Sequence, residues 1–323
     1  MIVRAMTHLD SSTTEELEVF ERQFLYPLGP ADSFSISHGP EYMSFFSAMG
    51  AATLLVAEHK GKIVGTMVLV RRQLLIDISG CVSSNMGLQS VEAHYICDLK
   101  IGSESRSTSA LARLVTAAAT IVRQYQSHAC YAVVMTGTKS EPTSYTGRIN
   151  IPEFKAVAEI VVVRILSVED CDLCKVAEGS QELHRRILHH LSEDGVRAVS
   201  ADLSLRSNIR ERQICHENGS AVGLLEDTRR GKRLLHASGA EIVSSHLTGL
   251  RWSDPIAASD VLRFGFKRSL DLGYPAMFCA VPRDLWSQLE PKLNGVKYQL
   301  ASATVYGYAV PQGVNWWIDT SEI

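Results

Sequence analysis

The sequence predicts an α/β protein of two successive units, each a mixed, mostly antiparallel central sheet flanked by helices. Three observations carry that prediction. Cys130 to Met135 is a near-continuous apolar run, the pattern of a strand buried on both faces. Just before it, Thr108 to Gln126 puts Leu111, Leu114, Val115, Ala118, Ile121, Val122 and Tyr125 on one stripe at helical spacing. The surrounding order also recurs. Glu58-His59-Lys60-Gly61-Lys62-Ile63-Val64-Gly65 aligns with His216-Glu217-Asn218-Gly219-Ser220-Ala221-Val222-Gly223, and after each comes a strand, a long helix and a buried strand. That repetition reads as an internal duplication. The boundary falls between Ser167 and Gly179, giving units of residues 1–170 and 171–323.

The elements follow in order. Ile2 to Ala5 is a short strand, and Thr13 to Gln23 and Pro40 to Phe46 are helical, separated by a loop around Leu28-Gly29-Pro30. Leu54 to Glu58 and Ile63 to Arg71 flank a Lys60-Gly61 turn. Gly80 to Ser90 is a polar loop, Tyr95 to Ile101 a strand and Glu159 to Leu166 another. The second pass has a helix at Gln181 to Asp194 and strands at Glu211 to His216 and Ala221 to Asp227. Between those strands lies Asn218-Gly219, a dipeptide that favours hairpin turns. Gly231 to His236, Glu241 to Leu250, Ala276 to Val281 and Tyr298 to Val310 are further strands. Pro255 to Leu272 is a helix stopped by Gly273.

The chain has 323 residues, 46% hydrophobic and 21% charged, with 32 basic against 35 acidic side chains and a formal net charge of −3. That is the composition of a globular protein with a full core, and no basic excess points to nucleic acid. The start lacks the basic stretch and apolar run of a secretory signal, and no segment has the length of a membrane-spanning helix. The seven cysteines are scattered, an odd count that suits a reduced, cytoplasmic setting better than a disulfide framework. Cys171 and Cys174 have half the spacing of a zinc or redox site. No second pair completes it, and His184, His189 and His190 lie on a helix at no recognised spacing, so no metal is expected.

The segment that suggests chemistry starts at Tyr95-Ile96-Cys97-Asp98-Leu99-Lys100-Ile101-Gly102. A strand there feeds a loop of small residues that opens into the long helix. Unpaired N–H groups and the helix dipole make such a turn a seat for phosphate, and Arg106 adds charge, although an ordinary Ser/Thr-capped helix reads the same way. Strand alternation places His94, Asp98 and Lys100 on one face and Tyr95, Cys97, Leu99 and Ile101 on the other. His94 and Asp98 are base candidates, about 13 Å apart along a strand. Each has a plainer reading: His94 as a solvent-facing residue at the strand start, Asp98 as a carboxylate paired with Arg148 or Lys100.

This stretch resembles the acyl-CoA-binding segment of the GCN5-related N-acetyltransferase (GNAT) superfamily. In that family a strand is followed by arginine or glutamine, two residues, glycine, one residue, and glycine or alanine, leading into a helix. Here the aligned run is Arg106-Ser107-Thr108-Ser109-Ala110-Leu111, with Ser109 replacing the first glycine and Leu111 the second small residue. The Ile63-Val64-Gly65 strand and the Tyr145-Thr146-Gly147-Arg148 segment resemble the family as well. The resemblance implies two GNAT-like domains and transfer of an acyl group from acyl-CoA, acetyl or longer, or from an acyl carrier protein, to an amine on a small molecule or peptide. It places Leu99, Lys100 and Ile101 beside the thioester and the loop from Arg106 to Leu111 around the diphosphate. Tyr145 becomes the acid for the departing thiolate, and Arg148 a substrate contact or a loop tether. The second unit has Asp254-Pro255 at the equivalent helix start. An acidic cap repels a pyrophosphate, so that unit is expected to be non-catalytic. Trp252, Trp286, Trp316 and Trp317 read as core or interface anchors, which leaves a homodimer open. A non-catalytic module on the same fold, binding an acyl-CoA or a partner, is the competing expectation.

Overall fold

The computed structural model describes residues 1–28, 32–77, 88–138, 140–148, 151–169, 175–191, 195–210 and 212–323. Its first half contains β1 (Ile2–Met6), α1 (Ser11–Glu21), β2 (Tyr26–Leu28), β3 (Asp32–Ser37), α2 (Tyr42–Ser47), β4 (Ala51–His59), β5 (Lys62–Asp77), β6 (Gln89–Ile101), α3 (Ala110–Val122), β7 (Cys130–Met135), α4 (Pro142–Tyr145) and β8 (Lys155–Val168). The second contains β9 (Val176–Glu178), α5 (Gln181–His190), β10 (Gly195–Ala198), β11 (Arg212–His216), β12 (Ala221–Glu226), β13 (Arg233–His236), β14 (Ser245–Trp252), α6 (Pro255–Asp271), β15 (Met277–Pro282), α7 (Arg283–Leu289), β16 (Val296–Tyr308) and β17 (Trp316–Trp317).

Apolar residues on both sides of the central strands force helices onto both faces of the sheet. In β4, Leu54 and Val56 join the core beneath α1 and α2, while Leu55 and Ala57 join the core beneath α3. In β5, Val68 and Val70 face the first core, and Met67 and Leu69 the second. The helical stripe read from the sequence is the buried face of α3, through Leu114, Val115, Ala118 and Val122. In the second half Val261, Leu262 and Phe266 of α6 fill the equivalent core.

One sheet runs through both halves in the order β1-β4-β5-β6-β7-β16-β8-β15-β14-β12-β11-β9. Its centre is an exchange. The last long strand of the first half, β8, pairs antiparallel with β15 of the second, while β16 pairs antiparallel with β7 of the first. The two exchanged strands also pair with each other, from Val296↔Val168 to Gly307↔Lys155. A small second sheet, β13-β3-β2, again joins strands of both halves.

Most elements lie where the sequence puts them, with Cys130–Met135 matching at both ends. The differences have local causes. The long helix starts at Ala110 rather than Thr108, because Thr108 turns its hydroxyl onto Ser105 O at 2.7 Å. Gly231 to His236 contributes only Arg233–His236, in the small sheet. The Cys171/Cys174 pair, and most of the loop expected at 80–90, lie outside the described residues. No helix among the described residues is long and apolar enough to cross a membrane.

Candidate active site

β6 and β7 are parallel neighbours, yet they pair only at His94↔Cys130 and Tyr95↔Tyr131. β6 runs on to Ile101 and β7 to Met135, so the strands part beyond Tyr131. The cause sits in β6. Asp98 has φ +48°, and the register with β5 shifts between Thr66 and Val68. A bulge of this kind bends its strand and ends pairing on one side. The backbone of residues 96–101 therefore has no ladder partner on its β7 edge, and an extended chain could pair with it there.

The bulge also overturns the alternation expected from the sequence. Tyr95 and Cys97 pack under α1 and α2, and Asp98 and Lys100 point to that same side, where they meet Tyr42 and Glu21. Leu99 and Ile101 fall on the α3 side. His94 is not on the Asp98 face. It is buried at 1% exposure beside the Tyr125 ring, with centroids 5.1 Å apart, at the far end of α3. Neither ring nitrogen of His94 has a partner, and burial lowers its pKa, favouring the neutral ring. Nor is it the solvent-facing residue its position in sequence suggested.

On the α1/α2 side the charges close into a buried set. Lys100 Nζ donates to Glu21 Oε1 at 2.8 Å and to Asp98 Oδ1, and the Tyr42 hydroxyl donates to Asp98 Oδ2. His38 Nδ1 lies 2.6 Å from Glu21 Oε1. Burial alone would raise the Glu21 pKa, but His38 and Lys100 overcome it and hold the carboxyl down at about 2. Donor atoms of Glu21, His38 and Asp98 lie within 4.8 Å of one another, a spacing that suits a cation. The Lys100 ammonium already bonds both carboxylates, so a metal ion would have to displace it.

On the α3 side, residues 102–109 form a short 3-10 turn and a loop in which Arg106, Ser107, Thr108 and Ser109 are exposed. No side chain caps the first turn of α3 in the usual way. Ser109 makes no capping bond, and only Ala110 N reaches Thr108 Oγ1, at 3.3 Å. Open amides at a helix start are what a phosphate seat requires. At the vertex of the parting strands lies an apolar cavity of about 280 Å³, between Val115, Ala118 and Val122 of α3, Ile96 and Cys130 below, and Tyr145 and Phe154 across. Burial raises the Tyr145 phenol to about 12, so it stays protonated and donates hydrogen bonds more readily than protons. Arg148 bonds the Ser144 carbonyl of its own loop and does not pair with Asp98. The structure thus brings Leu99, Ile101, Ala110, Leu111 and Tyr145 into one cluster, with the exposed Arg106–Ser109 loop at the α3 start, Asp98 and Lys100 across the sheet and His94 apart from it.

The sequence matches no protein-family model and no curated protein. Solved structures nevertheless share the fold. Saccharomyces cerevisiae N-myristoyltransferase, solved with bound myristoyl-CoA and inhibitors, superposes over 96% of this chain and 81% of its own, with a TM-score of 0.56 at 8% identity. A putative acetyltransferase from Pyrococcus horikoshii gives 0.57 at 11% identity, covering 96% and 89%. A probable N-acyltransferase from Enterococcus faecalis gives 0.52 at 10% identity, covering 95% and 72%. The chain has the GNAT fold.

The splayed strand pair recurs in the second half. In the second half β14 and β15 pair in parallel only at Ser245↔Met277 and His246↔Phe278. Gly249 has φ +56°, and the β12 register shifts between Val222 and Leu224. Gly249 follows Ser245 by the same interval as Asp98 follows His94, so the bulge recurs. The helix start does not. Asp254 caps α6 by accepting from Ile256 N at 2.9 Å, filling with a carboxylate the place that α3 leaves open. The bulge was not read from the sequence because glycine in the second half and aspartate in the first share no obvious signal beyond tolerance of positive φ.

Proposed function

We propose that the chain is an N-acyltransferase whose donor is acyl-CoA, or an acyl carrier protein, and whose acceptor is an amine. The supporting observation is the parting of β6 and β7 at the Asp98 bulge, beside an α3 start that its N-cap residue Ser109 leaves uncapped. The pantetheine arm lies along the open edge of residues 99–101, where backbone N–H groups face the thioester oxygen. The loop from Arg106 to Leu111 holds the diphosphate. The amine arrives from the α1/α2 side, attacks the carbonyl carbon and gives its proton to Asp98, directly or through water, as the carbon–sulfur bond breaks. Tyr145 stabilises the departing thiolate as a hydrogen-bond donor. The first half carries this chemistry and the second serves as scaffold. The closed pairing of Asp98 with Lys100 and Tyr42 favours a second reading, a thioester-binding module without turnover.

Acetyl-CoA and longer acyl-CoAs, offered with a panel of amines, separate the two readings. Free thiol released in proportion to amine supports the enzyme, and saturable binding without thiol supports the module. Arg106→Ala is expected to weaken CoA binding by about 1–3 kcal/mol, the worth of a hydrogen bond to a charged group. Unchanged affinity by calorimetry would remove Arg106 from the site. The apolar cavity is the compartment for an acyl chain longer than acetyl. Each methylene buried there contributes about 0.8 kcal/mol, so affinity should climb roughly fourfold per carbon until the space is full. Ala118→Leu narrows it and should flatten that climb while leaving acetyl-CoA affinity unchanged. The same slope in both proteins would place the chain elsewhere.

A further inference from the structure

Lys100 in the first half and Arg251 in the second each stand two residues beyond their bulge. Their surroundings differ in charge. Lys100 has two carboxylates within bonding distance, Glu21 and Asp98. Arg251 has none. It is 4% exposed, its Nη1 is spent on the neighbouring Leu250 carbonyl at 2.8 Å, and its Nε is buried without a partner. Its guanidinium lies over the Trp317 ring, 4.2 Å from the centroid. Two more side chains stand nearby: Arg197 pairs in register with Trp317, and His184 is a neutral ring. Arg197 of β10 and His184 of α5 each have a buried ring or guanidinium nitrogen, Nε and Nε2, with no partner. Burial, Arg251 and Arg197 together push His184 down to about 4.

Among the described residues, the carboxylate acting on both arginines is Asp319. It is spent on the bulge itself, accepting from Gly249 N at 2.8 Å. Burial and the nearby Glu322 raise it to about 6. Two guanidinium groups thus share one carboxylate, and that carboxylate is already bonded to the bulge. Buried charge without a counter-ion is costly, and guanidinium forks with free N–H groups match the oxygens of carboxylates and phosphates.

We propose that Arg251, Arg197 and His184 form a binding site for a small oxyanion, a carboxylate or a phosphoryl group, at the position in the second half that corresponds to the Asp98/Lys100 cluster of the first. The second half is then a ligand-binding unit in its own right, separate from the wedge above α3. Its ligand is held by arginine forks and capped by the Trp317 ring.

The test needs no acyl-CoA, so it stands or falls apart from the acyltransferase reading. The full chain is titrated with sodium phosphate and, separately, with sodium acetate at constant ionic strength held with sodium chloride. Tryptophan fluorescence and melting temperature are followed. A saturable response to phosphate alone assigns a phosphoryl site, and one to acetate, with or without phosphate, a carboxylate site. Arg251→Met and Arg197→Met should each weaken the response at least tenfold. Arg185→Met, which removes an exposed cation from the same helix as His184, should leave it unchanged. Without oxyanion, Arg251→Met should melt no lower than the parent, since it removes an unpaired charge. If that variant does not fold, Arg197→Met decides. No saturable response to either anion, or the same response in the arginine variants, overturns the proposal.

Discussion

Glu322→Gln is expected to lower unfolding free energy by about 3–5 kcal/mol, the usual result of removing one member of a buried charge network. Glu322 bonds Arg72 through both oxygens, at 2.6 and 3.0 Å, and accepts from Arg206 at 3.2 Å and Ser200 at 2.8 Å. Arg206 in turn holds Glu226 with two bonds. β5, β12 and the end of the chain meet in this network, and Arg72 and Arg206 have side chains only 1% exposed. Glutamine leaves Arg72 without a carboxylate. Urea unfolding of the variant measures the loss, and a change within about 0.5 kcal/mol, the range for exposed pairs such as Arg185–Glu182, would deny the network its role.

The same carboxylate sets an acid limit. Burial would raise the Glu322 pKa, but Arg72 and Arg206 overcome it and hold it at about 2, against an ordinary 4.5. A depressed folded value means the stabilisation is complete above the unfolded value and is lost as pH falls through the folded one. Glu21 behaves alike. Stability of the parent should therefore drop between about pH 4.5 and 2, and Glu322→Gln should show a shallower fall across that window.

The largest effect on activity is expected from Asp98→Asn. Asparagine tolerates positive φ as aspartate does, so the bulge and the wedge should persist. What is lost is the carboxylate that bonds Lys100 and Tyr42 and that, in the proposed reaction, takes the amine's proton. Turnover should fall by roughly 10²- to 10⁴-fold, the range for removing a general base, while acyl-CoA affinity stays unchanged. A turnover equal to the parent's would exclude Asp98 as the base. Weakened acyl-CoA binding would instead make the carboxylate a support for the bulge.

The course of the chain was legible because burial on both faces writes continuous apolar runs, as in Cys130–Met135, and because α3 buries most of its stripe. The repetition of the hairpins was legible too. What could not be read was register. A single residue at positive φ, Asp98, exchanges the faces of everything after it, so Leu99 and Ile101 part from Tyr95 and Cys97. Nothing local in Arg251, Arg197 or His184 announces that they converge, since they come from three separated segments. Pairing of β8 and β16 with opposite halves was equally hidden, because a strand's own residues say that it is buried and not which neighbour buries it.

That crossing has a consequence for synthesis on the ribosome. When residues up to 168 have emerged, β7 still lacks the neighbour that residues 296–308 will supply, and β8 has neither of its own. Two apolar strands with free hydrogen-bonding edges must wait for most of the remaining chain to be made. Newly made protein is therefore most open to aggregation and to chaperone capture during that interval, and the N-terminal portion made alone would stay in it.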